Sequence, residues 1–181
     1  RDRPFKYEEM QTSISFWKEN PESLLFFRNI RQIIINNESI EFNRQPIEQL
    51  EGAFAMFFIG ASEKKYIRIQ SDALTLPGEF SKELREENNG IELEKDLTLT
   101  IDLLLKGPSA LFVVLPTEIR TRLPFTVNAP FIQDPDRKQI KWPSQYNQWL
   151  LEESGKMAAK AILQWVSNKN TSLAERAKAY D

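Results

Sequence analysis

The sequence predicts an α+β fold: a mainly antiparallel sheet with helices on one face and a C-terminal helical segment. Three observations lead there. Short β-branched or alternating runs separated by turn residues fill positions 30–132, whereas helical periodicity takes over after residue 144. The longest alternating run, residues 91–105, puts Leu and Ile on one parity and Glu92, Glu94, Asp96, Thr98, Thr100 and Asp102 on the other, as in an antiparallel strand with one wet face. With 41% hydrophobic and 28% charged residues in 181, usage is that of an ordinary globular chain with a real core. The expected organisation is a linker over residues 1–20, an α+β domain over 21–143 and C-terminal helices over 144–181. Because the chain starts at Arg1 and stops within a helical pattern, it is read as a segment of a longer protein.

Residues 1–10 are polar and irregular, with Arg3-Pro4 marking extended backbone. Ile14-Ser-Phe-Trp17 is apolar and suits the start of a short helix. Asn20-Pro21-Glu22 combines an N-cap, a first-turn proline and a first-turn acid, so a helix is expected over 22–28, burying Leu24, Leu25 and Phe27. Residues 30–35 are β-branched, Asn36-Asn37 tolerate positive φ, and Ile40-Glu-Phe42 alternates: a hairpin. Ala53-Phe-Ala-Met-Phe-Phe-Ile59 reads as a strand buried on both faces, paired across 60–64 with Lys65-Tyr-Ile-Arg-Ile69. Leu76-Pro77-Gly78 turns the chain. Phe80 and Leu84, four apart in a charged stretch, mark a short exposed helix ended by Asn88-Asn89-Gly90. The run over 91–105 would reach ~50 Å fully extended, so a break is expected near Lys95, the residue off pattern. Gly107-Pro108 leads into a central buried strand over 111–115. Ser144 or Gln145 begins a helix reaching Val166, with Tyr146, Trp149, Leu150, Met157, Ala161, Ile162 and Trp165 on one face and Gly155 as a point for a kink. Thr171 or Ser172 caps a last helix from Leu173.

There is no Cys and no His. That excludes disulfides, zinc thiolate sites and thiol catalysis, and removes the commonest general base and transition-metal ligand. Any metal would be a hard ion on Asp or Glu oxygens, and none is expected here. The six glycines are too dispersed for G-x-G-x-x-G or G-x-x-x-x-G-K, and no serine sits in G-x-S-x-G, so no nucleotide cofactor is expected within the segment. A net charge of −2 offers no domain-wide field for nucleic acid or an anionic membrane. No apolar run approaches the ~20 residues of a spanning helix. Neither nucleic acid nor membrane is an expected partner, and a cytoplasmic location is expected.

The stretch over 110–150 is the most site-like. Arg137-Lys138-Gln139 follow a strand-like run and sit in a Pro/Asp turn, where a loop can present a guanidinium outward. Arg suits a phosphate because its planar donors match the oxygens bidentately; a solvated loop charge is the alternative. Asp134 and Asp136 flank Pro135, either as a carboxylate pair for acid–base work or Mg²⁺, or as turn acids. Asn128 is expected to bond local backbone. Trp142, Trp149 and Trp165 are expected in core packing rather than base stacking.

Leu111-Phe-Val-Val-Leu-Pro-Thr117, Leu123-Pro-Phe-Thr-Val-Asn-Ala-Pro-Phe131, Arg137 and Asn147-Gln-Trp-Leu150 occur in that order. Together they resemble the segment downstream of the ATP-binding domain in sacsin-like, heat-shock-chaperone-like members of the GHKL ATPase superfamily. Ser23-Leu-Leu-Phe-Phe-Arg-Asn-Ile30 is similar to the opening of that region, and Arg3-Pro4-Phe5 to the tail of the preceding ATPase domain. The middle matches only by strand pattern. Thr121-Arg122 stands where Thr-Gly is usual, Thr126 where His is usual, and Arg137-Lys138 where a paired Arg is common, departures that suggest a distant, bacterial branch. The resemblance implies a middle, transducer-like domain that sends a basic residue to the γ-phosphate held upstream: Arg137 first, with Lys138 and Gln139 as helpers. ATP and Mg would then belong to the full-length protein, and the partner would be its own N-terminal ATPase domain, with protein clients or a homodimer partner also open. The rival reading is an interaction module, docking a protein through sheet edges and an amphipathic helix, with no role in ATP turnover. A third is nucleic-acid contact through Arg120, Arg122, Arg137 and Lys138 if they converge.

Overall fold

Among the described residues ten strands form in the order the turn residues dictate. The computed structural model describes residues 11–12, 14–15, 21–27, 29–48, 50–59, 65–87, 97–105, 107–170 and 172–177. The strands are β1 (Gln32–Ile35), β2 (Glu38–Pro46), β3 (Ala53–Ile59), β4 (Lys65–Gln70), β5 (Leu74–Thr75), β6 (Thr98–Leu99), β7 (Asp102–Leu105), β8 (Ala110–Val113), β9 (Leu115–Arg120) and β10 (Phe125–Asn128). Eight of them make one sheet in the order β1-β2-β3-β4-β7-β10-β8-β9, and β5 pairs with β6 alone. Every neighbouring pair is antiparallel except β10 with β8, which runs parallel. The chain therefore inserts β10 between β7 and β8, strands that are adjacent in sequence.

The β1–β2 hairpin closes on Asn36 and Asn37 at φ 50° and 65°, with Ile35 opposite Glu38. Two consecutive left-handed residues give a turn whose twist matches the strands, and Asn tolerates that region better than other side chains. Gly52 performs a similar task before β3. Its φ is +68°, and a Cβ there would lie 2.5 Å from the Gln70 carbonyl oxygen. Gly52→Ala is expected to lose about 1–2 kcal/mol from the left-handed backbone alone, with the clash added. Urea denaturation would show this as a lower midpoint at unchanged slope.

Both faces of the sheet are covered. On one lie Ala53, Ile69, Leu103, Leu111, Phe125 and Val127, packed against Phe80 at the end of a 3₁₀ turn over Gly78–Phe80, against Leu84 of the helix α1 (Ser81–Glu87) that follows it, and against Tyr146, Leu150, Ala158 and Ala161 of helix α2 (Gln145–Ser167). On the other lie Ile40, Phe42, Met56, Tyr66, Leu104 and Phe112, closed by Leu24, Leu25 and Phe26 from a 3₁₀ helix over Pro21–Phe26. Phe26 meets Phe112 with ring centroids 5.0 Å apart. Each large apolar side chain buried this way contributes roughly 1.5–3 kcal/mol. A last short helix, α3, spans Leu173–Ala177.

The α+β class holds, and several details differ from expectation. The helices expected on one face are joined by the 3₁₀ helix on the other. There it buries Phe26, while Phe27 is half-buried. The single strand expected over 91–105 is β6 and β7 in two different sheets, parted at Thr100 and Ile101; the expected break at Lys95, like residues 88–96 and the 60–64 turn, lies outside the described residues. Asp102 and Leu104 do share a face opposite Leu103, but that face is not wet, because the 3₁₀ helix covers it. The expected central strand over 111–115 is β8, next to the sheet edge. It ends at Val114, which turns at φ 65° and sends Leu115 into β9. Helix α2 runs through Gly155 without interruption, and its buried side includes Asn147 and Ser154 as well as the apolar stripe, while Ile162 is exposed. Trp149 and Trp165 pack against the core as expected, but Trp142 is 55% exposed. The linker assigned to 1–20 falls almost entirely outside the described residues.

Candidate functional site

The Arg137 loop grows out of β10. After Asn128 the chain leaves the sheet through Ala129-Pro130 and buries Phe131 and Ile132. It then folds back, so that Gln133 bridges Ile140, itself fully buried. Residues 134–139 form the tip. The Asp134 N–H donates to the Gln139 carbonyl at 3.1 Å, and the Arg137 N–H to the Asp134 carbonyl at 2.8 Å. Asp136 Oδ1 accepts from the Lys138 N–H at 3.0 Å, and Gln133 Nε2 donates to the Arg137 carbonyl at 3.0 Å. The Glu118 N–H of β9 donates to the Lys138 carbonyl at 2.7 Å, stitching the tip to the sheet edge.

Arg137 has a φ of 61°, in the left-handed region that costs a residue with a Cβ about 1–2 kcal/mol. Its side chain is exposed, and among the described residues its guanidinium has no ion-pair or hydrogen-bond partner. Lys138 differs: its Nζ lies 2.8 Å from Glu118 Oε1, and that carboxylate raises it above the usual lysine range. Gln139 is exposed, with its backbone engaged and its amide outward. The three predicted residues are thus contiguous at one tip, and Arg137 alone offers an unengaged charge. Asp136 serves as a turn acid, its Oδ1 accepting from the Lys138 N–H. Among the described residues no group of three or more Asp or Glu is placed to hold a metal ion.

The base of the loop is held from α2. Ser144 caps that helix, its Oγ accepting from the Asn147 N–H at 2.9 Å. Asn147, fully buried, then clamps both feet of the loop. Its Nδ2 donates to the Ile132 carbonyl at 2.9 Å and the Lys141 carbonyl at 3.1 Å, and its Oδ1 accepts from the Ile132 N–H at 2.8 Å. Tyr146 donates to the Pro130 carbonyl at 3.2 Å, and burial pushes its phenol well above the usual range, so it stays a neutral donor. Asn147→Ala takes the side-chain partner from the Ile132 N–H and the Lys141 carbonyl, while the Ile132 carbonyl keeps the Lys141 N–H at 2.9 Å. The expected loss is about 2–3 kcal/mol, with amide exchange of Ile132 and its neighbours accelerated more than that of β3.

A polar chain through the sheet ends beside this loop. Arg68 of β4 donates from Nε and Nη2 to Asp102 Oδ1 at 3.0 and 2.9 Å, and from Nη1 to the Leu25 carbonyl at 2.9 Å. Asn128 Nδ2 donates to Asp102 Oδ2 at 3.1 Å, and Asn128 Oδ1 accepts from the Val114 N–H at 2.7 Å. All three side chains are buried. Asn128 was expected to bond local backbone; instead it reaches residues 14 and 26 positions away. Thr126, fully buried, donates to the Pro108 carbonyl beside Gly107.

No protein-family model matches the chain, and neither a curated protein nor a solved structure does. The site therefore rests on its own geometry. Sequence reasoning found the tip and missed its supports, Asn147 and the Arg68–Asp102–Asn128 chain. The available signals were a polar residue inside an apolar helical stripe, an Arg between two isoleucines and an Asp leading three leucines.

Proposed function

We propose that this chain is a middle, transducer-like domain of a heat-shock-chaperone-like ATP-hydrolysing protein. In it Arg137 reaches the γ-phosphate bound by an upstream domain, and Lys138 and Gln139 flank it. The observation that carries the reading is an unpartnered guanidinium held out in a left-handed conformation, on a loop tied down at both feet. A loop charge with no task needs neither the conformational cost nor the clamp. A rigidly presented guanidinium suits a phosphoryl group whose charge spreads over its oxygens in the transition state. The charge chain from Leu25 through Arg68, Asp102 and Asn128 to Val114 supports the transducing half, because it links the 3₁₀ helix to the strand that delivers the loop. The reading places the protein in the cytoplasm; among the described residues no helix is long and apolar enough to cross a membrane.

Calorimetry with ATP tests the division of labour. The 181-residue chain alone is expected to show no saturable binding at micromolar ATP. Micromolar affinity in the isolated chain would place the nucleotide site here and end the proposal.

The second reading, an interaction module, is favoured by apolar exposure: Ile34 on edge strand β1 is 66% exposed and Leu163 on α2 is 65% exposed. It predicts that Arg137 is dispensable and that Ile34→Glu or Leu163→Glu abolishes partner binding.

A further inference from the structure

Away from the Arg137 loop, on the sheet face closed by the 3₁₀ helix, a cleft of about 330 Å³ opens beyond Phe27. Arg31, Arg44 and Arg68 are among the residues that line it, and among the described residues no Asp or Glu does. Arg68 is paired with Asp102, whereas Arg31 and Arg44 have no acidic partner among the described residues. We propose that this cleft binds a small organic phosphate, with the guanidinium groups taking the phosphate oxygens and Phe27, Phe42 and Met56 taking the apolar body.

The charge count favours a phosphate. Arg68 is neutralised by Asp102, which accepts from its Nε and Nη2, while its Nη1 serves the Leu25 carbonyl. Three of its five N–H donors are engaged in this way, leaving two for a ligand. Arg31 and Arg44 are exposed and have no acidic partner among the described residues. Their two unopposed charges match the roughly −1.5 to −2 of a phosphate monoester. A planar carboxylate carries half that charge and engages one fork at a time, whereas a tetrahedral phosphate presents oxygens to several walls at once.

The site is also partly preorganised. The Arg44 guanidinium sits 4.5 Å from the centroid of the Phe54 ring, a cation–π contact that fixes a long side chain before a ligand arrives. Arg68 is locked by its three bonds and is 6% exposed. Arg31 is set beside them by the pairing of β1 with β2, where the Phe42 N–H donates to the Arg31 carbonyl at 3.3 Å. The volume lies at the small end of ligand pockets, which suits a phosphate with a body of one or two rings.

Titration of the chain with 1-naphthyl phosphate, 1-naphthoate and inorganic phosphate, followed by calorimetry at low ionic strength, decides it. The naphthyl phosphate is expected to bind saturably with one site. Arg31→Ala and Arg44→Ala should each weaken it about tenfold, as loss of a charge-assisted hydrogen bond does, and the double variant should show no saturable binding. Both residues are exposed, so these variants are expected to fold, which circular dichroism checks. Lys82→Ala, an exposed charge on α1, should leave binding unchanged. Naphthoate and inorganic phosphate should each bind at least about tenfold more weakly than the ester. The proposal fails if naphthyl phosphate does not saturate or if the double variant binds it as the wild type does. It also fails if naphthoate or inorganic phosphate binds equally well.

Discussion

Arg137→Ala in the full-length protein is expected to lower ATP turnover by about 10³-fold or more, the range found when a guanidinium is removed from a transferring phosphoryl group. ATP affinity should change by less than about tenfold, because the contact strengthens in the transition state rather than in the ground state. Arg137→Lys keeps the charge but loses the planar fork, so it should recover only part of the rate. Arg137→Gly separates this role from a structural one. Glycine suits the φ of 61° that Arg137 adopts, so the variant should be as stable as the wild type or more so, and as inactive as Arg137→Ala. Single-turnover ATP hydrolysis, with thermal unfolding alongside, reads both effects. Unchanged turnover in Arg137→Ala would make the residue a loop charge and bring the interaction-module reading forward.

The second large effect is on stability. Arg68→Ala strands the Asp102 carboxylate inside the sheet with only Asn128 to hold it. Breaking a buried pair this way costs about 3–5 kcal/mol. Removing both charges together should be far milder. A double variant, Arg68→Met with Asp102→Leu, puts two apolar side chains where the pair lay and is expected to recover most of the loss. Urea denaturation of wild type, Arg68→Ala and the double variant checks the order. If Arg68→Ala loses less than about 1 kcal/mol, the pair is hydrated rather than buried.

What the sequence made legible was local. Asn36-Asn37 revealed a hairpin because two residues set its turn, and Ser144 revealed a helix start because a cap acts within one turn. Phe80 and Leu84 marked α1 by spacing alone. The hidden parts depend on residues far apart in the chain. Asp102 read as solvent-facing because alternation reports which side a residue points to, not what covers that side. The covering Leu24, Leu25 and Phe26 come from some 75 positions earlier, and its partner Arg68 from 34 positions earlier. Strand β9 was concealed because Val114 bends the chain at φ 65° inside the run that read as one strand over 111–115. At the site, the Asp134-Pro135-Asp136 turn announced a loop. Its clamp Asn147 sat unmarked in the helical stripe, since a fully satisfied buried amide leaves no trace in hydrophobic periodicity.

The placement of β10 between β7 and β8 has a temporal side. Until residues 125–128 arrive, the meander ending in β7 and the β8–β9 hairpin are two separate sheets, each with a raw edge facing the other. Gly107 sits at that seam, where a Cβ would lie 2.8 Å from Thr126 Oγ1, so the crossing chain has little room to spare. The strand that fastens the two halves is the one that runs on into the Arg137 tip. A half-assembled chain would therefore be sticky along two edges. Completion of the sheet and the path into the loop therefore depend on the same four residues, 125–128.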